Sequence, residues 1–138
     1  MMVYKNILIP TDGMKAGEDV IEFICFIQKV IQAVIHVIYV LEVPRNLPLD
    51  AEQPEKLVIA KAAIDKAINI AGKYQVVLNT SIVYARSTEE AIISTAADLK
   101  CDVIAIAQDN HKLGIFANTA ATIYQKAKCN IWLFNNKG

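Results

Sequence analysis

Residues 4–13 read Tyr4-Lys5-Asn6-Ile7-Leu8-Ile9-Pro10-Thr11-Asp12-Gly13, a short apolar run closed by a breaker and turn residues together. That pattern predicts a first β-strand over Tyr4 to Ile9, ended by Pro10. From about Gly17 to Gln32, Val20, Ile24, Ile27 and Ile31, joined by Phe23 and Val30, recur at helical spacing, with Glu18, Glu22, Cys25, Lys29 and Gln32 on the other side. An amphipathic helix with a wide apolar face is expected there. Val34 to Val40 is nearly continuous and β-branched, as expected of a central strand buried on both faces of a parallel sheet.

The alternation continues to the end. Residues 43–53 carry Pro44, Asn46 and Pro48 without periodicity and predict a loop; Pro54 suits the first position of a second helix. Its apolar stripe is Leu57, Ala60, Ile64, Ile68 and Ala71, with Gly72 as the expected stop. Val76 to Tyr84 includes Asn79, Thr80 and Ser81, polar enough for an edge strand. Ser87 with Glu90 three residues on forms a capping-box pattern ahead of Ala91, Ile92, Thr95, Ala96 and Leu99. Val103 to Ala107 reads as a buried strand and Gln108 to Ala117 as a loop. Asn118 or Thr119 caps a short helix to about Lys126, and Cys129 to Phe134 is a final strand. Five strands alternating with four helices predict one α/β domain over residues 1–138. Right-handed crossovers then imply a Rossmann-like open parallel sheet with helices on both faces, and the order 3-2-1-4-5 is expected if the first strand lies at the switch point.

Composition narrows the function. The chain has 138 residues, enough for one core of ordinary size. Fourteen Lys and Arg balance fourteen Asp and Glu, and no basic cluster occurs, which argues against nucleic acid or an anionic membrane as partner. The most apolar region, Val20 to Leu41, is broken by Glu22, Gln28, Lys29, Gln32 and His36 and does not read as a membrane span. With no secretory leader pattern, the default expectation is the cytoplasm. Cys25, Cys101 and Cys129 fit neither a disulfide framework nor paired metal ligation, so all three are expected reduced. His36 and His111 have no companion at ligand spacing, and no metal is expected.

In open α/β sheets, ligands sit beyond the carboxyl ends of the strands, where the strand order reverses. The segments so placed are Pro10-Thr11-Asp12-Gly13 and Ala107-Gln108-Asp109-Asn110. A carboxylate at Asp12 can accept hydrogen bonds from an adenine amino group or a ribose hydroxyl; equally, it can cap the following helix. Enzyme patterns fare poorly. A second Asp two residues after Asp12 would suit a dehalogenase-like phosphatase, but Met14 stands there. A receiver domain wants an Asp where the third strand ends in Tyr84-Ala85-Arg86, and no cysteine is followed six residues later by Arg. No nucleophile-base pair is legible, and no catalytic residue is assigned.

Tyr4 to Gly13 resembles the opening of a universal stress protein, and the remainder follows in step. Ala33 to Val43 is similar to that family's second strand, Ala85 to Ile92 to its third-helix entry, and Ala117 to Phe134 to its closing helix and strand. The resemblance implies adenine and ribose near Pro10, Thr11, Asp12 and Val40, with phosphates against Ala107, Asn110, Asn118 and Thr119. AMP or ATP is the implied cofactor. Nucleotide-binding members carry a motif of three glycines followed by Ser or Thr. Here the glycine places fall on Ala107, Asn110 and Ala117, with Asn118 at the hydroxyl place. The last spacing is six residues in place of nine, which removes about 10 Å of reach. Such glycines let amide groups approach phosphate without a Cβ in the way, so weak or absent ATP binding is expected, with AMP ahead of ATP.

The final strand, Cys129-Asn130-Ile131-Trp132-Leu133-Phe134, carries no charge and has apolar groups on both faces, with a short preceding helix that can shield one. The resemblance implies homodimerisation through this strand, burying Trp132 or Phe134. The alternative is an ordinary edge covered by Asn135 to Gly138. The expectation is a non-catalytic homodimeric module of stress response. An adenine-nucleotide switch, a protein-interaction adaptor and a regulatory domain of a larger transporter or sensor are the alternatives.

Overall fold

The computed structural model describes residues 4–109 and 119–136. Its elements are β1 (Asn6–Pro10), α1 (Lys15–Ile31), β2 (Val34–Glu42), α2 (Pro54–Lys73), β3 (Asn79–Ala85), α3 (Thr88–Asp98), β4 (Val103–Asp109), α4 (Thr119–Lys126) and β5 (Asn130–Asn136). The strands form one sheet of order β3-β2-β1-β4-β5, parallel throughout. This is the α/β architecture that the alternation predicts, in the order expected with the first strand at the switch point. β2 is buried on both faces as expected, although β1 holds the middle place. The chain runs outward from β1 through β2 to β3, then crosses back to β4, so the order reverses between β1 and β4.

Two cores cover the two faces. Ile7, Ile9, Ile35, Val37, Val103 and Ala105 point toward α1 and α2, while Leu8, Ile38, Ile104 and Ile106 point toward α3 and α4. The alternation of strand side chains produces this division. Packing corrects the expected helix faces. Ile21 and Cys25 are buried on α1, whereas Phe23 is 47% and Val30 85% exposed. On α2 the buried stripe is Ala60, Ala63, Ala67 and Ala71, and Ile68 lies outside it. Alanines there let α2 approach the sheet and α1 closely; the bulkier Leu57 and Ile64 flank the contact, half-buried.

Element ends shift for local reasons. α2 runs one residue past Gly72, and Gln75 rather than the glycine takes the left-handed conformation, at φ 59°. The amide of Val76 then bonds to the Ala71 carbonyl at 3.0 Å and closes the helix, and β3 starts only at Asn79. β4 continues through Gln108 and Asp109, residues expected in the following loop. Ser87 caps α3, accepting the Glu90 amide at 3.4 Å, and Pro54 opens α2, both as predicted. No described helix is long and apolar enough to cross a membrane.

Candidate functional site

β1 stops short of both its neighbours. Pro10 pairs with Ile38, after which β2 runs on to Glu42, and the β1–β4 register sets β4 running past Pro10 to Asp109. A cleft results, floored by the turn after β1 and walled by residues 39–42 and 107–109. It lies at the reversal of strand order, where an open sheet accepts ligands.

The floor is held by its own side chains. Thr11, 2% exposed, extends the ladder by donating its amide to the Ile38 carbonyl at 2.9 Å. Its Oγ1 accepts the Gly13 amide at 3.1 Å, and Asp12 Oδ1 accepts the Met14 amide at 3.0 Å. These side chains shape the turn, as short polar residues commonly do. Met14 is the N-cap of α1 and makes no side-chain cap bond, so the helix-cap alternative for Asp12 is replaced by a turn bond two residues ahead. Asp12 remains half-buried at the mouth. Burial, and secondarily the charge of Asp12, pushes the Tyr39 phenol above its ordinary range.

The remaining predicted residues divide between the two sides of the sheet. Val40 packs its side chain into the α3–α4 core. In a parallel strand its N–H and C=O point the same way as those of Ile38, which face β1, so Val40 directs both beyond the end of β1. Ala107 belongs to the α1 core and lines a cavity of about 230 Å³ with Ala16, Asp19, Val20, Phe134 and Asn135. Pro10, Thr11 and Asp12 thus stand beside the backbone of Val40, whereas the side chains of Val40 and Ala107 pack on opposite faces of the sheet. Asn110 and Asn118 lie outside the described residues, as do Lys112 and Gly114.

Thr119 opens α4, 2% exposed, and its Oγ1 donates to Glu89 Oε1 at 3.3 Å. Glu89 Oε2 accepts from Ser87 Oγ at 3.1 Å, and Thr88, also buried, donates its hydroxyl to Glu42 Oε2. Glu42, Thr88 and Glu89 are functional candidates that sequence reading misses; no spacing announces a contact between residues 30 apart. Arg86 fastens the adjoining loop, donating from Nη1 to the carbonyls of Pro44, of Leu47 at 2.8 Å and of Val43 at 3.3 Å.

The cysteines are free, as expected, and burial pushes the thiols of Cys25 and Cys101 up to about 11. His36 sits at the opposite end of the sheet, with Nε2 3.0 Å from Asn6 Oδ1. Among the described residues, no group of three or more His, Cys, Asp or Glu could hold a metal ion. On β5, Trp132 meets Tyr4 edge-on with ring centroids 5.1 Å apart, and Phe134 meets Phe23 at 5.5 Å. On that face Trp132 and Phe134 are thus half-buried against Tyr4 and Phe23 within the chain itself, while Leu133 is 49% exposed.

The universal stress protein family model matches residues 3–135. Many solved structures share the fold at low identity, three of which follow. The universal stress protein of Archaeoglobus fulgidus in complex with dAMP superposes with a TM-score of 0.75 at 17% identity, covering 96% of this chain and 98% of that one. A family protein of Arabidopsis thaliana with AMP bound gives 0.72 at 10% identity over 97% and 93%. A universal stress protein in complex with cAMP gives 0.69 at 14% over 96% and 98%. No curated protein matches by sequence.

Proposed function

The chain belongs to the universal stress protein family, and we propose that it acts as a non-catalytic, cytoplasmic, homodimeric module of stress response that takes the adenosine part of a ligand in the cleft above β1. The observation that carries this reading is the Thr11–Asp12 turn, recessed between the extensions of β2 and β4. The Asp12 carboxylate suits a ribose hydroxyl or an adenine amino group, and the N–H and C=O of Val40 offer the donor and acceptor that an adenine edge needs. Relatives of the same fold with AMP, dAMP or cAMP support an adenine ligand. ATP is held weakly or not at all, because the glycines of the phosphate loop are replaced by Ala107, Asn110 and Ala117.

Two observations favour binding over chemistry. The buried thiols titrate near 11 and make poor nucleophiles near neutrality, and His36 is engaged at the far end of the sheet. Homodimerisation through β5 is supported by its place at the sheet edge and its uncharged sequence.

The test is thermal unfolding with millimolar adenosine, AMP, cyclic nucleotides and ATP. A ligand at one hundred times its Kd stabilises the fold by about 2.7 kcal/mol. Adenosine compounds with at most one phosphate should raise Tm, ATP should do so less, and Asp12→Ala should remove the effect. No shift with any of them would refute the binding reading and leave a protein-interaction adaptor.

A further inference from the structure

A cavity of about 620 Å³ opens between the end of β3, the chain before α2 and the first turn of that helix. Leu49, Ala51, Pro54, Leu57 and Tyr84 form its apolar wall, and Asp50, Glu52 and Gln53 are its polar members. We propose that it binds a small apolar amine. The body of the ligand seats against Leu57 and Tyr84, a protonated nitrogen lies toward Asp50 and Glu52, and a carbonyl or similar acceptor serves Gln53. None of these residues belongs to the cleft above β1, so the second site stands independently of an adenosine ligand.

The cavity is built by the fold. Tyr84 pairs with Leu41 and shares a strand face with Ile82; Leu41 and Ile82 pack with Ala60 of α2, which places Tyr84 on the α2 side of the sheet. β3 is an edge strand, so the wall ends at Tyr84 and the cavity opens there. Its other side is tied down by the bonds from the Ala51 amide to the Pro48 carbonyl at 3.0 Å and from the Leu57 amide to the Gln53 carbonyl at 2.9 Å. Arg86 fastens the preceding loop through the carbonyls of Pro44 and Leu47. A largely apolar, preformed hollow with a few convergent polar groups is what small-molecule sites share, at volumes of about 300–1,000 Å³.

Three features of the lining define the ligand. Leu49 is 45% and Tyr84 39% exposed, apolar surface that a ligand body would cover. Gln53 precedes α2 without making a side-chain cap bond, and its Nε2 is buried with no hydrogen-bond partner. Buried polar groups are almost always paired, and an acceptor on the ligand would pair this one. Asp50 and Glu52 are the charged residues of the lining, no cation joins them, and neither carboxylate has an ion pair or hydrogen bond among the described residues. They favour a cation and repel an anion, and the face of the Tyr84 ring adds to the attraction.

Three benzamides added to the isotope-labelled full chain, with amide shifts followed by NMR, test this. N-(2-aminoethyl)benzamide is protonated at neutral pH, N-propylbenzamide puts a methyl group in place of the ammonium, and N-benzoyl-β-alanine puts a carboxylate there. Shifts are expected at residues 49–53, 57 and 84, with the amine bound about fivefold tighter than the neutral analogue and the carboxylate weakest. Asp50→Asn combined with Glu52→Gln, both at exposed positions, should bring amine and neutral analogue to equal affinity. Rising salt should do the same in the natural sequence. Gln53→Met, which removes the N–H donor, should weaken all three compounds about fivefold. An amine no tighter than the neutral analogue overturns the proposal, as does a preference that survives both the double variant and high salt. Shifts centred on residues 11–13, or no shift at millimolar ligand, overturn it equally. Unchanged affinity in Q53M overturns the role given to Gln53. Adenosine added to the same sample reports on the cleft through residues 11–13, so failure of either site is read without the other.

Discussion

Asp102 and Asn6 hold each other across the start of the sheet: the Asp102 amide donates to the Asn6 carbonyl at 2.8 Å, and Asp102 Oδ2 accepts the Asn6 amide at 2.9 Å. The same oxygen accepts the Lys5 amide. The loop before β4 is thereby fixed to the entry of β1, which sets the register on which the cleft depends.

These amides, that of Asn6 first and then that of Lys5, hold the Asp102 carboxyl below its ordinary value of 3.8. A carboxyl whose folded value is depressed contributes stability that is present above its unfolded value and is lost as pH falls through the folded one. Asp102→Asn should therefore cost about 1 kcal/mol at pH 7, discounted for exposure, with the difference shrinking below pH 3.8. Urea unfolding of both proteins at pH 7 and pH 3 measures this; an equal difference at both would place its origin elsewhere.

Burial lowers the His36 imidazole below its ordinary value of 6.5. The unfolded chain then binds the proton more readily than the folded one, so His36 contributes stability above pH 6.5 that declines as pH falls toward the folded value. His36→Gln, which retains an N–H for Asn6 Oδ1, should flatten the stability profile below pH 6.5. A slope left intact in the variant would exclude His36 as its source.

Two glycines should respond oppositely to alanine. Gly13 has φ +80°, and a Cβ there would lie 3.1 Å from the Cβ of Ala63 on α2. Gly13→Ala should cost about 2 kcal/mol and weaken any ligand that uses Asp12. Gly72 meets nothing within 4 Å and lies within α2. Gly72→Ala should stabilise by about 0.5–1 kcal/mol. Melting curves compare them directly, and a stabilised G13A would contradict the strained turn.

Leu133, half exposed on the edge strand, offers a test of self-association. Lysine on an edge strand opposes pairing. Sedimentation equilibrium should give a dimer for the natural sequence and a monomer for Leu133→Lys with unchanged circular dichroism. A natural chain that sediments as a monomer at every concentration would end the dimer proposal.

The sequence by itself determined the alternation of strand and helix, and with it an open parallel sheet, because periods of 3.6 and 2 and the turn residues at Pro10–Gly13 are local signals; the reversal of order at β1 is set by the pairing of β1 with β4. It located the Ser87 cap and the Pro54 helix start for the same reason. The tertiary structure decided which side of each helix is buried. Phe23 and Val30 share helical spacing with the core residues of α1, yet the sheet reaches Ile21 and Cys25 instead. It also gave Asp12 a bond to the Met14 amide in the turn, in place of the helix-cap alternative, and brought Glu89 to Thr119. Long-range juxtaposition depends on how closely helices seat on the sheet, which alanines on α2 and the register of β1 with β4 set together; no window of neighbouring residues encodes it.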